Sequence, residues 1–255
     1  MLAERRFSKS STHINGSGSA NARASSSNKN SAGATALSCP SEAKLRSPCY
    51  CEENVWRLAY RRLNGAAGAD VDKENDEYHV VFISNPEKCC PMLYQKASKD
   101  PSAACYWDYH VILIHTSKIV GKRGKSYREV NVLDIDTCLS YPCSLHEYID
   151  ASFGEIQFPN HETKKKLEPM FRVIRADYYL QHFKSDRSHM KRPDGTWMTP
   201  PPKYDCIIGD SDDEGGSNLE EYIDMTRKAK GRSSKFFGEV LTIDQLLSKF
   251  DPLKR

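Results

Sequence analysis

Three β-rich runs in succession constrain most strongly what this chain can fold into. Residues 78–84 read Tyr-His-Val-Val-Phe-Ile-Ser, and residues 106–116 carry Val111-Ile112-Leu113-Ile114 at their centre. Branched and aromatic residues in runs of this length suit a pleated, at least half-buried strand. The connection over 118–128 places Gly121 and Gly124 among charged residues and leads into a third candidate strand, 129–136, which is the pattern of a hairpin. Phe171-Arg172-Val173-Ile174 supplies a fourth. Helical spacing appears at 51–63, where Val55, Leu58, Ala59 and Leu63 share a face, and shorter helices are expected at 145–149 and at 177–183, capped by Asp177. The chain closes with a helix over 242–250, with Thr242 as N-cap and Ile243, Leu246, Leu247 and Phe250 on one side. The expected class is α+β: an antiparallel sheet flanked by helices, with the first helix ahead of the strands.

The flanks and insertions differ in kind from this core. Residues 1–46 are dominated by Ser, Asn, Ala and Gly, and such a segment cannot bury enough apolar surface to offset its ordering entropy. A disordered tail is expected. Arg5, Arg6, Lys9, Arg23 and Lys29 give it a faintly transit-like composition, but no apolar stripe accompanies them. Residues 47–250 read as one folded domain, interrupted by exposed insertions at 64–77 and at the acidic, Gly-rich 209–217, with a short tail at 251–255.

Composition excludes several functions. No stretch approaches the 18 apolar residues of a membrane span, so a soluble protein without a membrane partner is expected. A formal charge of +3 on 255 residues gives no reason to invoke nucleic acid, and the run Lys164-Lys165-Lys166 reads as a solvated face. Nine cysteines without an apolar leader segment fit a reduced cytosolic or nuclear setting better than a disulfide framework. No Cys-x-x-Cys pair occurs, so a structural zinc site is disfavoured. A monomer is expected, since no apolar docking surface is visible.

Chemistry enters with Cys51, at the predicted mouth of the first helix. Free N–H groups and the positive dipole end there favour thiolate over thiol and are placed to bind an oxyanion. His110, near the start of the second strand, and the carboxylates Asp134 and Asp136 of the third complete a thiol, imidazole and carboxylate order suited to nucleophilic hydrolysis. By strand alternation His110 shares a face with Asp108, Ile112 and Ile114, while Val132, Asp134 and Asp136 share one in the next strand. Spacing does not choose between Asp134 and Asp136. Each residue also has an ordinary reading: Cys51 as a small buried hydrophobe, the histidine as a core residue, the aspartates as turn caps.

Further blocks go beyond that general pattern. Cys-Tyr-Cys-Glu-Glu-Asn-Val-Trp at 49–56, Val-Val-Phe-Ile-Ser-Asn at 80–85, Trp-Asp-Tyr-His-Val at 107–111 and Asp-Ile-Asp-Thr at 134–137 occur in one order. Phe-Arg-Val-Ile-Arg-Ala-Asp at 171–177, Ser-Asp-Arg-Ser-His-Met at 185–190 and Pro-Pro-Pro-Lys-Tyr at 200–204 follow them. Together they resemble the protein N-terminal glutamine amidohydrolase family over about residues 48–250. The resemblance implies a transglutaminase- and papain-like layout, Cys51 as nucleophile, His110 as base and Asp134 as the orienting acid. It implies deamidation of N-terminal glutamine in proteins and peptides to glutamate, upstream of arginylation in the N-degron pathway, with no metal or organic cofactor. The tail and the two insertions depart from the family pattern and lie outside the matching blocks.

Such an enzyme must also read the substrate's α-ammonium to exclude internal glutamine. Asp108 and Glu53 are candidates, with Trp107 as a wall for the glutamine side chain. Three other readings compete: a transglutaminase or cysteine protease, a catalytically silent module that binds N-termini, and a zinc-stabilised interaction domain.

Overall fold

The computed structural model describes residues 40–65, 75–121, 124, 126–210, 216–226 and 237–250. Most of the expected tail, most of the 64–77 insertion, the centre of the 209–217 insertion and the 251–255 tail lie outside the described residues.

Two helices open the described chain, α1 (Pro40–Ala43) and α2 (Cys51–Leu63). Next come β1 (Asp76–Ser84), β2 (Cys90–Met92), β3 (Cys105–Trp107), β4 (His110–Val120), β5 (Ser126–Leu133) and β6 (Cys143–Ser144). The rest is α3 (Leu145–Phe153), α4 (His161–Leu167), β7 (Met170–Arg175), α5 (Ala176–His182), α6 (Leu219–Ile223), β8 (Glu239–Leu241) and α7 (Ile243–Lys249). Six strands form one antiparallel sheet in the order β6-β5-β4-β1-β7-β8, and β2 pairs with β3 in a separate ribbon.

Helices cover both faces of the sheet, which explains why β4 reads as a continuous apolar run rather than an alternating one. One face sets Val80, Phe82, Val111, Leu113 and Ile174 against Val55, Leu58 and Ala59 of α2, Tyr179 of α5 and Tyr222 of α6. The other sets Val81, Ile83, Ile112, Ile114 and Val173 against Tyr148 and Ile149 of α3 and Leu246 of α7. A fully buried arginine ties α6 to the sheet: Arg172 of β7 donates to the Tyr222, Phe237 and Asp224 carbonyl oxygens. Among the described residues no helix is long and apolar enough to cross a membrane.

Several boundaries differ from expectation for local reasons. The second expected strand breaks at Asp108, whose carboxylate accepts the Tyr109 N–H while its carbonyl accepts the Ser84 hydroxyl. Asp108 therefore does not share a strand face with His110. The third strand ends at Leu133 because Asp134 Oδ1 accepts the Asp136 N–H at 2.8 Å, a local bond that competes with the ladder. Asp134 and Asp136 consequently lie in the turn after β5, not on one face of it. Asp177 does not cap α5: Arg175 holds the N-cap position, and Asp177 pairs with its guanidinium. Within the segment read as a tail, Glu42 and Leu45 are buried and Glu42 pairs with Arg62 of α2 at 2.8 Å. Thr242 caps α7 as expected, in a reciprocal box with Gln245. Lys164, Lys165 and Lys166 lie on α4, which buries none of its residues.

Candidate active site

The site forms at one end of two inner strands, where β4 begins and β5 ends. His110, the first residue of β4, pairs in register with Ile83 and by parity shares the face of Ile112 and Ile114. Its Nε2 lies 3.0 Å from Asp134 Oδ2, and both residues are buried. Tyr148 of α3 donates to the same Asp134 oxygen at 2.8 Å, so each carboxylate oxygen is held by at least one donor. With Nε2 committed to Asp134, His110 Nδ1 is left buried and without a hydrogen-bond partner. Trp107 stacks on the imidazole at 5.7 Å between ring centroids and 24° between planes.

Cys51 is the first residue of α2, which packs across β4 on the opposite face. Tyr50, at the N-cap, offers no side-chain cap to the first turn. The thiol meets the Val111 N–H, one residue beyond His110, which favours its anion. Three influences outweigh that bond: burial above all, then the Glu52 and Asp136 carboxylates, which together push the thiol well above its ordinary value. A helix mouth favours the thiolate, whereas burial here acts in the opposite sense and favours the thiol.

The imidazole and its partner move in the complementary sense. Burial alone would lower His110, but the Asp134 charge and hydrogen bond raise it overall, with Asp136 and Glu52 adding to the rise. Burial alone would raise Asp134, but His110, the Asp136 N–H and the Tyr148 hydroxyl bring it below the usual carboxylate range. Asp136 is engaged differently: Arg46 Nε holds one oxygen at 2.6 Å and Asn54 Nδ2 the other at 3.4 Å.

Of the residues expected to bind substrate, Glu53 is fully occupied. Arg187 grips both its oxygens at 2.9 and 2.8 Å, and the Ser185 hydroxyl adds a third bond. Glu53 thus anchors α2 to the 185–190 segment instead of presenting a free carboxylate. Arg187→Met keeps most of the volume and leaves the buried Glu53 charge unpaired. A loss of about 3–5 kcal/mol is expected, or roughly 6–20 °C in Tm at about 2–4 °C per kcal/mol. Thermal unfolding measures it, and a shift under about 2 °C would show that the pair carries no such load.

Sequence reading missed Glu52, Tyr109, Tyr148 and His189. Tyr109 donates to Glu52 Oε2 at 2.9 Å, and His189 Nε2 lies 3.6 Å from Glu52 Oε1. Both tyrosines looked like ordinary core aromatics, and only three-dimensional pairing gives them polar partners. Glu52 had a usable signal, an acidic residue directly after Cys51 at the start of a buried helix. Among the described residues, no group of three or more His, Cys, Asp or Glu could hold a metal ion.

The structure thus holds a buried thiol against the backbone of Val111, the residue that follows a carboxylate-held imidazole, on an α+β scaffold. The profile of the N-terminal glutamine amidase family matches residues 46–250. A human protein N-terminal glutamine amidohydrolase is 36% identical over 217 residues, 83% of this chain and 90% of that protein. Relatives of the same name from Bos taurus and Danio rerio are 38% and 37% identical, covering 73% and 79% of this chain and 80% and 87% of their own lengths. The chain belongs to the N-terminal glutamine amidase family and is a hydrolase acting on an amide bond.

Proposed function

We propose that this protein deamidates the side chain of glutamine at a free protein N-terminus, giving glutamate and ammonia by covalent catalysis at Cys51. The observation that carries the chemistry is His110 held through Nε2 by Asp134, with Nδ1 unpartnered at the strand end where the Cys51 thiol meets β4. Family membership carries the substrate.

In this reading the thiol stays protonated until substrate arrives. Cys51 Sγ then attacks the side-chain carbonyl carbon as its proton passes to His110 Nδ1. The oxyanion forms beside the uncapped first turn of α2, whose backbone N–H groups supply donors. Collapse breaks the C–N bond, and His110 protonates the departing nitrogen as ammonia. Water, deprotonated by the same nitrogen, hydrolyses the thioester, and the proton returns to sulfur as glutamate leaves. Asp134 fixes the tautomer that leaves Nδ1 as base and stabilises the imidazolium in each half.

The catalytic domain is taken to span residues 47–250, with the short α1 segment packed against it, in the transglutaminase- and papain-like layout of a nucleophile at a helix mouth facing a strand-borne imidazole. The product, an N-terminal glutamate, is suited to arginylation by a separate enzyme of the N-degron pathway in the cytosol or nucleus.

The test is ammonia release and intact mass for a short peptide beginning with glutamine, beside N-acetylated and internal-glutamine controls. A gain of about one mass unit is expected on the free N-terminal glutamine alone, because replacing the amide by an acid exchanges nitrogen for oxygen. Crosslinking, truncation or conversion of the internal control would overturn it in favour of a transglutaminase or protease. No conversion of any peptide would leave a module that binds N-termini.

A further inference from the structure

We propose that Glu52 reads the substrate's α-ammonium group, and so confines the reaction to chain termini; this rests on the amidase reading above. Four carboxylates surround the thiol or its helix, and three are spoken for. Asp136 is held by Arg46 and Asn54, Glu53 by Arg187 and Ser185, and Asp108 by the Tyr109 N–H. Glu52 differs from them. Its side chain is fully buried, Tyr109 fixes Oε2, and Oε1 has no hydrogen-bond partner. His189 Nε2 makes an ion-pair contact with Oε1 at 3.6 Å, beyond hydrogen-bond reach, and also lies 3.4 Å from the Tyr109 hydroxyl, on a side chain that is 21% exposed. Oε1 therefore keeps hydrogen-bonding capacity that only this partly exposed, titratable side chain approaches.

The spacing suits one ligand. Cys51 Sγ lies 3.8 Å from Glu52 Oε2. In an N-terminal glutamine the α-nitrogen is four bonds from the carbon the thiol must attack, about 4–5 Å in standard covalent geometry. One carboxylate beside the nucleophile can therefore hold the ammonium while sulfur reaches the amide. A buried, half-partnered carboxylate is costly until a cation completes it. An acetylated N-terminus or an internal glutamine offers no such cation, so the ion pair that favours the free terminus is not formed.

Protonation makes the burial of this carboxyl tolerable. Burial raises the Glu52 carboxyl to about 8, although its own backbone N–H and the Tyr109 hydroxyl favour the anion. The groups that face it are Cys51 and Glu53 on α2, Tyr50 before it, Tyr109 and His110 at β4, Tyr179 on α5, and His189. Ammonium binding requires the carboxylate, so affinity for the free peptide should rise with pH toward about 8. There the substrate amine, at about 7.7–8.0, begins to lose its own proton.

The experiment compares a glutamine-initiated peptide with its des-amino analogue, in which 4-carbamoylbutanoyl replaces glutamine, on the wild type, Glu52→Gln and Glu52→Asp. The wild type is expected to favour the free peptide by at least about 100-fold in kcat/KM. Glu52→Gln should bring the ratio below about 10 by slowing the free peptide alone, and Glu52→Asp should retain a ratio above about 10 because the charge remains. A wild-type measurement stands apart from folding of the variants: KM for the free peptide falls between pH 6 and 8, and KM for the analogue does not follow. Equal losses on both peptides would make Glu52 a structural or oxyanion-binding group and overturn the assignment, as would a ratio unchanged in Glu52→Gln. A wild type that converts both peptides alike overturns only the role of Glu52. A wild type inert on the free peptide overturns the amidase reading and this one with it.

Discussion

Replacement of Cys51 by alanine is expected to abolish turnover while leaving the fold in place. In a covalent mechanism the nucleophile, base and orienting acid act as one unit, and loss of the nucleophile costs about 10⁶ in kcat in the serine-hydrolase template. The same interdependence predicts that Cys51→Ala combined with His110→Ala is no slower than Cys51→Ala alone. Cys51→Ser sharpens the point, because a hydroxyl in this desolvated pocket is a poorer nucleophile than the thiol it replaces. Cys51 is 6% exposed and makes only weak polar contacts, to Glu52 and to the Val111 N–H. The alanine variant should therefore unfold within about 4 °C of the wild type, the shift about 1 kcal/mol produces. Ammonia release from a glutamine-initiated peptide, followed beside a thermal melt, separates lost chemistry from lost structure. Residual turnover above about 1% of the wild type, orders of magnitude over the template value, would remove Cys51 from the nucleophile's role.

How much of this could be read from the chain depends on what each residue's signal rests on. Helix α2 was legible to the residue because Val55, Leu58 and Ala59 repeat at helical spacing and all three are buried. Helix α7 was legible because Thr242 and Gln245 carry their own capping chemistry. Strand β4 announced itself through Val111-Ile112-Leu113-Ile114, but its starting point did not. Asp108 and Asp134 look, in sequence, like polar positions of alternating strands. In the structure each uses its carboxylate on a nearby backbone N–H and ends the ladder. That competition between side chain and strand is local but leaves no periodic trace.

The site divides along the same line. Cys51, His110 and Asp134 sit at element ends, where residue type and position are informative together. Their electrostatics were not legible, because the direction of the Cys51 shift depends on how completely the pocket is sealed and on Glu52 and Asp136 being near. Likewise Glu53 and Glu52 are neighbours in one acidic pair at a helix start. Only the arrival of Arg187 from more than a hundred residues away decides which of them is neutralised.

Asp134→Asn should slow deamidation by about 10⁴, the cost of removing the orienting carboxylate in the serine-protease template, and should also displace the pH dependence. The sign follows from the causes of the His110 shift. Burial lowers the imidazole, and Asp134, by charge and hydrogen bond, more than reverses this, so the folded value stands above the ordinary histidine value. With neutral imidazole as the proposed base, kcat is expected to grow as pH rises through that value, and the acid limb to lie above about 6.5 in the wild type. With asparagine the largest raising influence is gone, leaving only the Asp136 and Glu52 charges against burial, so the limb moves to lower pH. The penalty is then largest above neutrality and smaller at pH 6, where the wild type is itself mostly protonated. Asp136 raises His110 by charge alone, without a bond to it, so Asp136→Asn should move the limb in the same direction but less. A kcat–pH profile of the three proteins decides the matter: a limb unmoved in Asp134→Asn, or moved further in Asp136→Asn, would transfer the orienting role away from Asp134.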